Sequence, residues 1–323
     1  MKVDRSRTSL DGSGTTAGTG ATGVPSLRRS RPRYGEALVK AVLFAAASVS
    51  ILTTVGILVA LVGPTLQFFS EVPVTDFLFG TEWAPLFADA KYGVLPLVSG
   101  TLVITAIAIV VAVPLGLGSA IYLSEYAKPR TRAILKPTLE VLAGIPTVVF
   151  GFFALEFVTQ VVLRSIWPDL PIYNALSAGV VMGVMIIPTI ASLSEDAMSS
   201  VPRALRDGGY ALGSSRMEVA TRIVVPAALS GIVAAFVLGI SRAIGETMIV
   251  AIAAGGQPNL SFNVFEGMQT MTGFIAAAGL GDQPTGSTGY KTIFAVGSLL
   301  FVMTLVMNMI SIALVRRFRE VYE

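Results

Sequence analysis

The 323-residue sequence has no cysteine and no histidine, and only 13% of its residues are charged. Without thiols or imidazoles there is no disulfide framework, no Cys or His nucleophile, no Cys/His zinc site and no ordinary haem ligation. The missing thiols leave the redox compartment open. Soluble domains carry about 25% charged residues. Here 53% of residues are hydrophobic and the mean hydropathy is +0.74, the composition of a membrane protein. The net charge of +3 is small, and the basic residues flank apolar runs instead of forming a stripe with aromatics, so no nucleic-acid partner is expected. There is no G-x-x-x-x-G-K-[ST] phosphate loop, so no ATP chemistry, bound cofactor or metal is expected of this chain itself. The internal repeats of many secondary transporters are also missing.

Residues 1–36 are rich in Gly, Ser and Thr and end in the basic cluster Arg28, Arg29, Arg31 and Arg33. Such a segment buries too little surface to offset its ordering entropy, and a disordered tail is expected. It has no apolar core followed by a small-residue cleavage site, so it does not read as a signal peptide. Residues 37–323 are expected to form an all-α integral membrane domain. A helix of about 20 apolar residues crosses the hydrocarbon core, and six such spans are expected, near 40–63, 94–123, 138–163, 171–194, 224–253 and 292–315. Pro64 is expected to close the first, and Pro114, Pro146 and Pro188 to kink the second, third and fourth. Trp83, in G-T-E-W-A-P, is expected to anchor at the membrane interface.

Lys plus Arg in the segments before, between and after the spans number 8, 1, 4, 1, 4, 1 and 3 in chain order. Complete alternation of this kind predicts cytoplasmic N- and C-termini and a cytoplasmic loop at 195–222. In that loop, Ser200 is expected to cap a short helix opened by Val201 and Pro202, and Gly213 to stop it in the left-handed conformation. Ser215 with Glu218 forms a capping box for a second helix that runs into span five.

The spacing Asp207-Gly208-Gly209, Gly213, Ile223 and Pro226 resembles the E-A-A-x3-G-x9-I-x-L-P signature of bacterial ABC-importer permeases, with Asp for Glu and Val225 for Leu. Gly-Gly in place of Ala-Ala departs from it and costs a helix about 1 kcal/mol per glycine. The stretches V-P-L-G-L-G-S-A-I-Y-L-S-E-Y, A-G-I-P-T-V-V-F-G, S-R-A-I-G-E-T-M-I-V and Q-T-M-T-G-F-I are similar to permeases of the high-affinity phosphate importer, PstC more than PstA. The similarity covers about residues 64–320. It implies the type I ABC importer permease fold and a bacterial inner-membrane location. It also implies a PstA-like second permease subunit, two copies of an ATPase that hydrolyses the ATP, and an external phosphate-binding protein. The ATPase is expected to dock on the 195–222 loop, through Arg203, Arg206, Asp207, Gly208, Gly209, Gly213, Glu218, Ile223 and Pro226.

Two charges, Arg242 and Glu246, lie inside span five. Ionised groups there cost roughly 2.5–3.5 kcal/mol each, and are by default functional and turned to the bundle interior. At i and i+4 on one helix they would share a face and hydrogen-bond. The arginine fork suits phosphate oxygens, and the resemblance implies that both line the translocation route. Ser241, Thr247 and Glu156 are further candidates for it. A straight helix from Ile223 would put Arg242 about 28 Å beyond the loop. Other readings remain: a salt bridge that merely orients span five, a permease for another oxyanion or small solute, and a secondary transporter or channel using Arg242 and Glu246 as an ion site.

Overall fold

The computed structural model describes residues 34–87 and 89–317. The tail expected over 1–36 lies outside the described residues as far as residue 33. The chain divides into two units, Met1–Thr54 and Val55–Glu323. The described part of the first is the opening stretch of helix α1 (Tyr34–Glu71), whose Leu43, Phe44 and Leu52 are exposed.

In the second unit, α1 does not stop at Pro64 but continues through it to Glu71. The Thr65 hydroxyl donates to the Leu61 carbonyl at 2.7 Å, the kind of side-chain support that lets a membrane helix carry proline. A short helix α2 (Val74–Phe79) and a two-stranded hairpin, β1 (Trp83–Ala84) with antiparallel β2 (Lys91–Tyr92), lead to α3 (Leu95–Ile121), extended by a π-helical turn to Tyr126. Helix α4 (Pro129–Ala143) has no buried residue and lies outside the third span. That span is α5 (Thr147–Phe152), a π-helical stretch Phe153–Leu163 and α6 (Arg164–Ile166). It therefore starts at Thr147, not near 138. Pro146 sits at its N-cap, as a boundary and not a kink, because proline fits a helix start and breaks its interior.

Helix α7 (Ala175–Ser199) follows, then the short α8 (Arg203–Ala211). Next come α9 (Arg216–Glu218), a π-helical turn Val219–Val224, α10 (Val225–Ala227) and α11 (Leu229–Ile244). The segments Arg216–Ala227 and Leu229–Ile244 meet at 75°, so span five is not one straight rod. Pro226 lacks the N–H that would continue the ladder. Close packing holds the bend, since a Cβ on Gly231 would stand 2.4 Å from the Ala197 Cβ of α7. The segment between the expected fifth and sixth spans contains a ten-residue helix α12 (Met271–Leu280), and α13 (Thr288–Arg317) is the last span. By length and composition the described residues hold five spanning helices, six with the bent pair.

Helices α3 and α7 form the axis of this unit. Cβ atoms added at Gly179 and Gly183 of α7 would meet Ile107 at 2.6 Å and Val111 at 2.7 Å. One added at Gly116 of α3 would meet Ile190 at 2.7 Å. The G-V-V-M-G run at 179–183 is a small-xxx-small surface that lets membrane helices approach by van der Waals packing, in the absence of a hydrophobic driving force. Trp83 is not an interfacial anchor. It is 4% exposed, packed edge-on against Phe274 at 4.9 Å in an apolar cluster with Phe68, Phe77 and Met271.

Gly183→Val forces α3 and α7 apart, and overpacking of this kind costs about 1–3 kcal/mol. The thermal midpoint of the detergent-purified protein falls by several degrees. Gly118→Ala, whose Cβ meets nothing within 4 Å, does not lower it.

Candidate functional site

Helix α11 ends at Ile244, and the chain is non-helical from Gly245 to Thr247 before turning helical again at Met248. A break inside a membrane span exposes N–H and C=O groups that lipid cannot satisfy. The Glu246 side chain satisfies the donors. Its Oε1 accepts from the backbone N–H groups of Thr247, Met248 and Ile249 at 3.1, 3.0 and 3.3 Å, and the residue is 8% exposed. The Glu246 carbonyl accepts from the Thr272 hydroxyl of α12 at 2.7 Å. Thr272 in turn bonds Thr270 at 3.1 Å, and the Met271 N–H donates to Thr101 of α3 at 3.0 Å. Four elements thus meet at the break.

Arg242 is half-buried and does not pair with Glu246, because the break ends the i,i+4 geometry that the pair would need. Its Nη1 donates to the Thr189 hydroxyl of α7 at 3.1 Å. Among the described residues it makes no ion pair, which leaves most of a five-donor guanidinium open. Ser241 turns elsewhere and bonds Asn308 of α13 at 3.2 Å. The Thr247 hydroxyl donates to the Gly245 carbonyl at 3.3 Å, within the break. Glu156, midway along the third span, is exposed between Phe153 and Phe157, whose rings stack at 5.0 Å.

The second constellation is the loop. Helix α8 ends in a Schellman motif: the Gly213 N–H donates to Tyr210 O at 2.9 Å, the Ser214 N–H to Gly209 O at 3.2 Å, and Gly213 has φ +82°. The Ser215/Glu218 capping box is present. Hydrogen bonds from the Ser215 backbone and hydroxyl hold the Glu218 carboxyl below its ordinary value. Ser200 does not cap α8. Pro202 takes that position, and the Ser200 hydroxyl donates to Ala197 O at the end of α7. Gly209 is buried, and a Cβ there would stand 2.6 Å from Ile223, so the glycine permits α8 to lie on the 219–224 turn. Gly208 faces open space. Arg203 and Asp207 are exposed, as are Tyr210, Leu212 and Met217.

A family model described as "Binding-protein-dependent transport system inner membrane component" matches residues 112–320. The chain belongs to this family. It is similar to a probable ABC transporter permease protein, YqgH, of Bacillus subtilis, 35% identical over 279 residues covering 85% of this chain and 89% of the relative. It is also similar to phosphate transport system permease protein PstC 1 of Mycobacterium tuberculosis, 36% identical over 277 residues (75% and 81%). PstC of Mesorhizobium japonicum is 31% identical over 308 residues (87% and 92%). In fold it is similar to a bacterial alginate ABC transporter solved with a pentasaccharide-bound periplasmic protein, with a TM-score of 0.63 at 16% identity, covering 87% of this chain and 95% of that one. The inward-facing MetNI methionine transporter gives a TM-score of 0.53 at 19% identity (71% and 95%). This is a multi-pass permease subunit of the bacterial inner membrane, with the type I ABC permease fold.

Two buried ion-pair systems in the permease escape a local reading of its sequence. Arg206, expected as a docking residue, points inward. It pairs with Glu125 at 3.0 Å and donates to the Val201 and Met198 carbonyls at 2.6 and 2.8 Å. Fully buried Glu195 bonds Arg132 and Lys136 of α4, and Lys136 also reaches Asp196 at 2.5 Å. The hydrogen bonds that Lys136 donates to Asp196 and then to Glu195 raise its ammonium above its ordinary value. These partners lie some 60 to 80 residues apart in sequence, so no spacing reveals them.

Glu246→Ala removes the acceptor for three N–H groups and costs about 0.5–2 kcal/mol, the range for lost helix caps. Glu246→Gln keeps one acceptor oxygen and costs less. Thermal unfolding of the purified permease reads both. Arg206→Ala leaves Glu125 buried without its partner and costs about 3 kcal/mol, whereas Arg203→Ala, at an exposed position, changes stability by less than about 0.5 kcal/mol.

Proposed function

We propose that this permease is one of two membrane subunits of an ATP-driven importer of inorganic phosphate. The observation that carries the reading is Arg242. An arginine inside a membrane span, with only a neutral hydroxyl as its partner, retains an uncompensated charge that calls for an anion. The guanidinium fork matches two oxygens of a phosphate monoanion or dianion. Holding by one arginine and a hydroxyl is weak enough to permit release, which a conduction route needs. The PstC relatives carry phosphate in their names, in agreement with this chemistry.

The exposed face of α8, with Arg203, Asp207, Tyr210 and Leu212, is the docking surface for a separate ATPase subunit present in two copies. ATP is hydrolysed there and no cofactor is held by this chain. Arg206, Gly209, Gly213, Glu218, Ile223 and Pro226 shape the knob that presents this face. Exposed Glu156 on the third span favours a second, PstA-like permease subunit against that face, because a carboxylate at mid-span is costly against lipid. The cargo route runs between the two subunits, past Arg242 and the break at Glu246. An extracytoplasmic phosphate-binding protein delivers the cargo.

Arg242→Gln lowers labelled-phosphate uptake at least about a hundredfold, the scale of a lost charge-assisted contact with the second partner left unpaired. The complex still assembles and still docks its ATPase. Arg242→Lys restores little, since the point charge lacks the fork. Uptake near the wild-type rate in Arg242→Gln contradicts the assignment.

A further inference from the structure

Helix α4 is fastened to the bundle from one side. Its Arg132 and Lys136 turn to Glu195, Asp196 and Ser199 of α7, and no residue of the helix is buried. The side turned away from those cations is apolar and open: Ile134, Leu135, Val141 and Leu142, spaced as i, i+1, i+7 and i+8, are all exposed. Lys128 and Arg130, at the start of the helix, are exposed too, and neither side chain has a hydrogen-bond or ion-pair partner among the described residues. An apolar face flanked by free cations is the pattern of a helix that lies in the membrane interface.

The neighbouring surface of α3 marks the depth. Every fourth residue of this helix and its π-helical extension, from Leu102 through Val110 and Gly118 to Tyr126, is exposed. The row is aliphatic or small as far as Gly118 and ends in Tyr122 and Tyr126, and such rings settle at the membrane–water boundary. A cavity of about 450 Å³ lies on this row, between Pro114, Leu115, Gly118 and Tyr122 on one side and Leu135 and Leu139 of α4 on the other. A Cβ on Gly118 would meet nothing within 4 Å, so the absent side chain leaves the slot open.

Slot, tyrosine and cation follow one another in the order of acyl chain, glycerol and phosphate in a phospholipid. Arg130 precedes Leu135 by five residues, about 8 Å along the helix axis. Charge complementarity selects the headgroup. Glu140, the one acidic residue of α4, stands ten residues beyond Arg130, so the start of the helix is purely basic and attracts acidic lipids.

We propose that the slot between α3 and α4 seats one acyl chain of an anionic phospholipid, with its phosphate held by Lys128 and Arg130. The chain fills the space beside Gly118 and covers apolar surface of α4 that the protein leaves bare. The phosphate neutralises the two open cations. Helix α4 leads through Gly144 and Pro146 into the third span, so the lipid steadies the start of the span that carries Glu156.

The test is native mass spectrometry of the permease purified with its partner subunits, delipidated and then titrated with phosphatidylglycerol or phosphatidylcholine. Wild type retains phosphatidylglycerol in preference, and that lipid raises its thermal midpoint. Lys128→Gln with Arg130→Gln lowers the apparent affinity for phosphatidylglycerol about 25-fold, about fivefold per charge, and abolishes the preference. Gly118→Phe fills the slot from an unobstructed position and lowers retention of both lipids at least about tenfold. Without added lipid the variants match wild type in yield and thermal midpoint, which establishes that they are folded. Retention of phosphatidylglycerol equal to wild type in both variants overturns the site, as does a wild type without preference between the lipids. Displacement of the lipid by excess inorganic phosphate reassigns the two cations to a free anion and overturns the proposal. The chain has no cysteine of its own, so Ser119→Cys gives a single thiol beside the slot. A cross-link from it to a partner subunit makes the slot a protein contact and overturns the lipid.

Discussion

Lipid cannot hydrogen-bond a polypeptide, so every unpaired backbone group at membrane depth must find its partner within the protein. The interruption at Gly245–Thr247 is where this constraint bears hardest. Three N–H groups converge on one Glu246 oxygen, and the Glu246 carbonyl is held by Thr272 from a helix 26 residues further on. The carboxylate thereby finishes a helix start, and its negative charge also suits the positive end of the helix dipole. Burial of Glu246 follows from this work, and no basic side chain is needed to explain it.

Once Glu246 is committed to the backbone, Arg242 is released from it. Its position is set from α7 by Thr189, and close packing keeps the two helices in contact there, since a Cβ on Gly239 would stand 3.1 Å from Ile186 and Ile190. The same span begins at the α8 knob. Gly209 on Ile223, the bend at Ala228 and the Arg206–Glu125 pair tie the knob to the adjoining ends of α3, α7 and α11. Under the proposed docking, a push on α8 would pass through these contacts into the helix that carries Arg242, and across the break into α12 through Thr272.

Features written in local code were legible in the sequence. The apolar runs gave six spans, and turn chemistry gave Gly213 as a left-handed stop and Ser215/Glu218 as a capping box. The i,i+4 spacing of Gly179 and Gly183 was equally local and could have announced the α3–α7 contact. Prolines misled because their effect depends on what surrounds them: Pro64 is carried by a helix that Thr65 supports, while Pro146 marks a boundary. Arg242 and Glu246 misled for a related reason. Their i,i+4 spacing implies a shared face only if the helix is continuous, and Gly245 with the competing carboxylate cap ends it. Trp83, Arg206 and Glu195 were illegible because their surroundings are assembled from segments distant in sequence.

The account stands on Arg242 and Glu246 acting separately, one toward an anion and the other toward the backbone. A charge exchange tests this directly: labelled-phosphate uptake by the double variant Arg242→Glu with Glu246→Arg, beside each single variant. An ion pair would tolerate reversal, at least in part. The account predicts that the double variant is as inactive as either single one, because an arginine cannot accept three N–H bonds and a glutamate cannot hold phosphate. Uptake restored in the double variant well above both singles would contradict it.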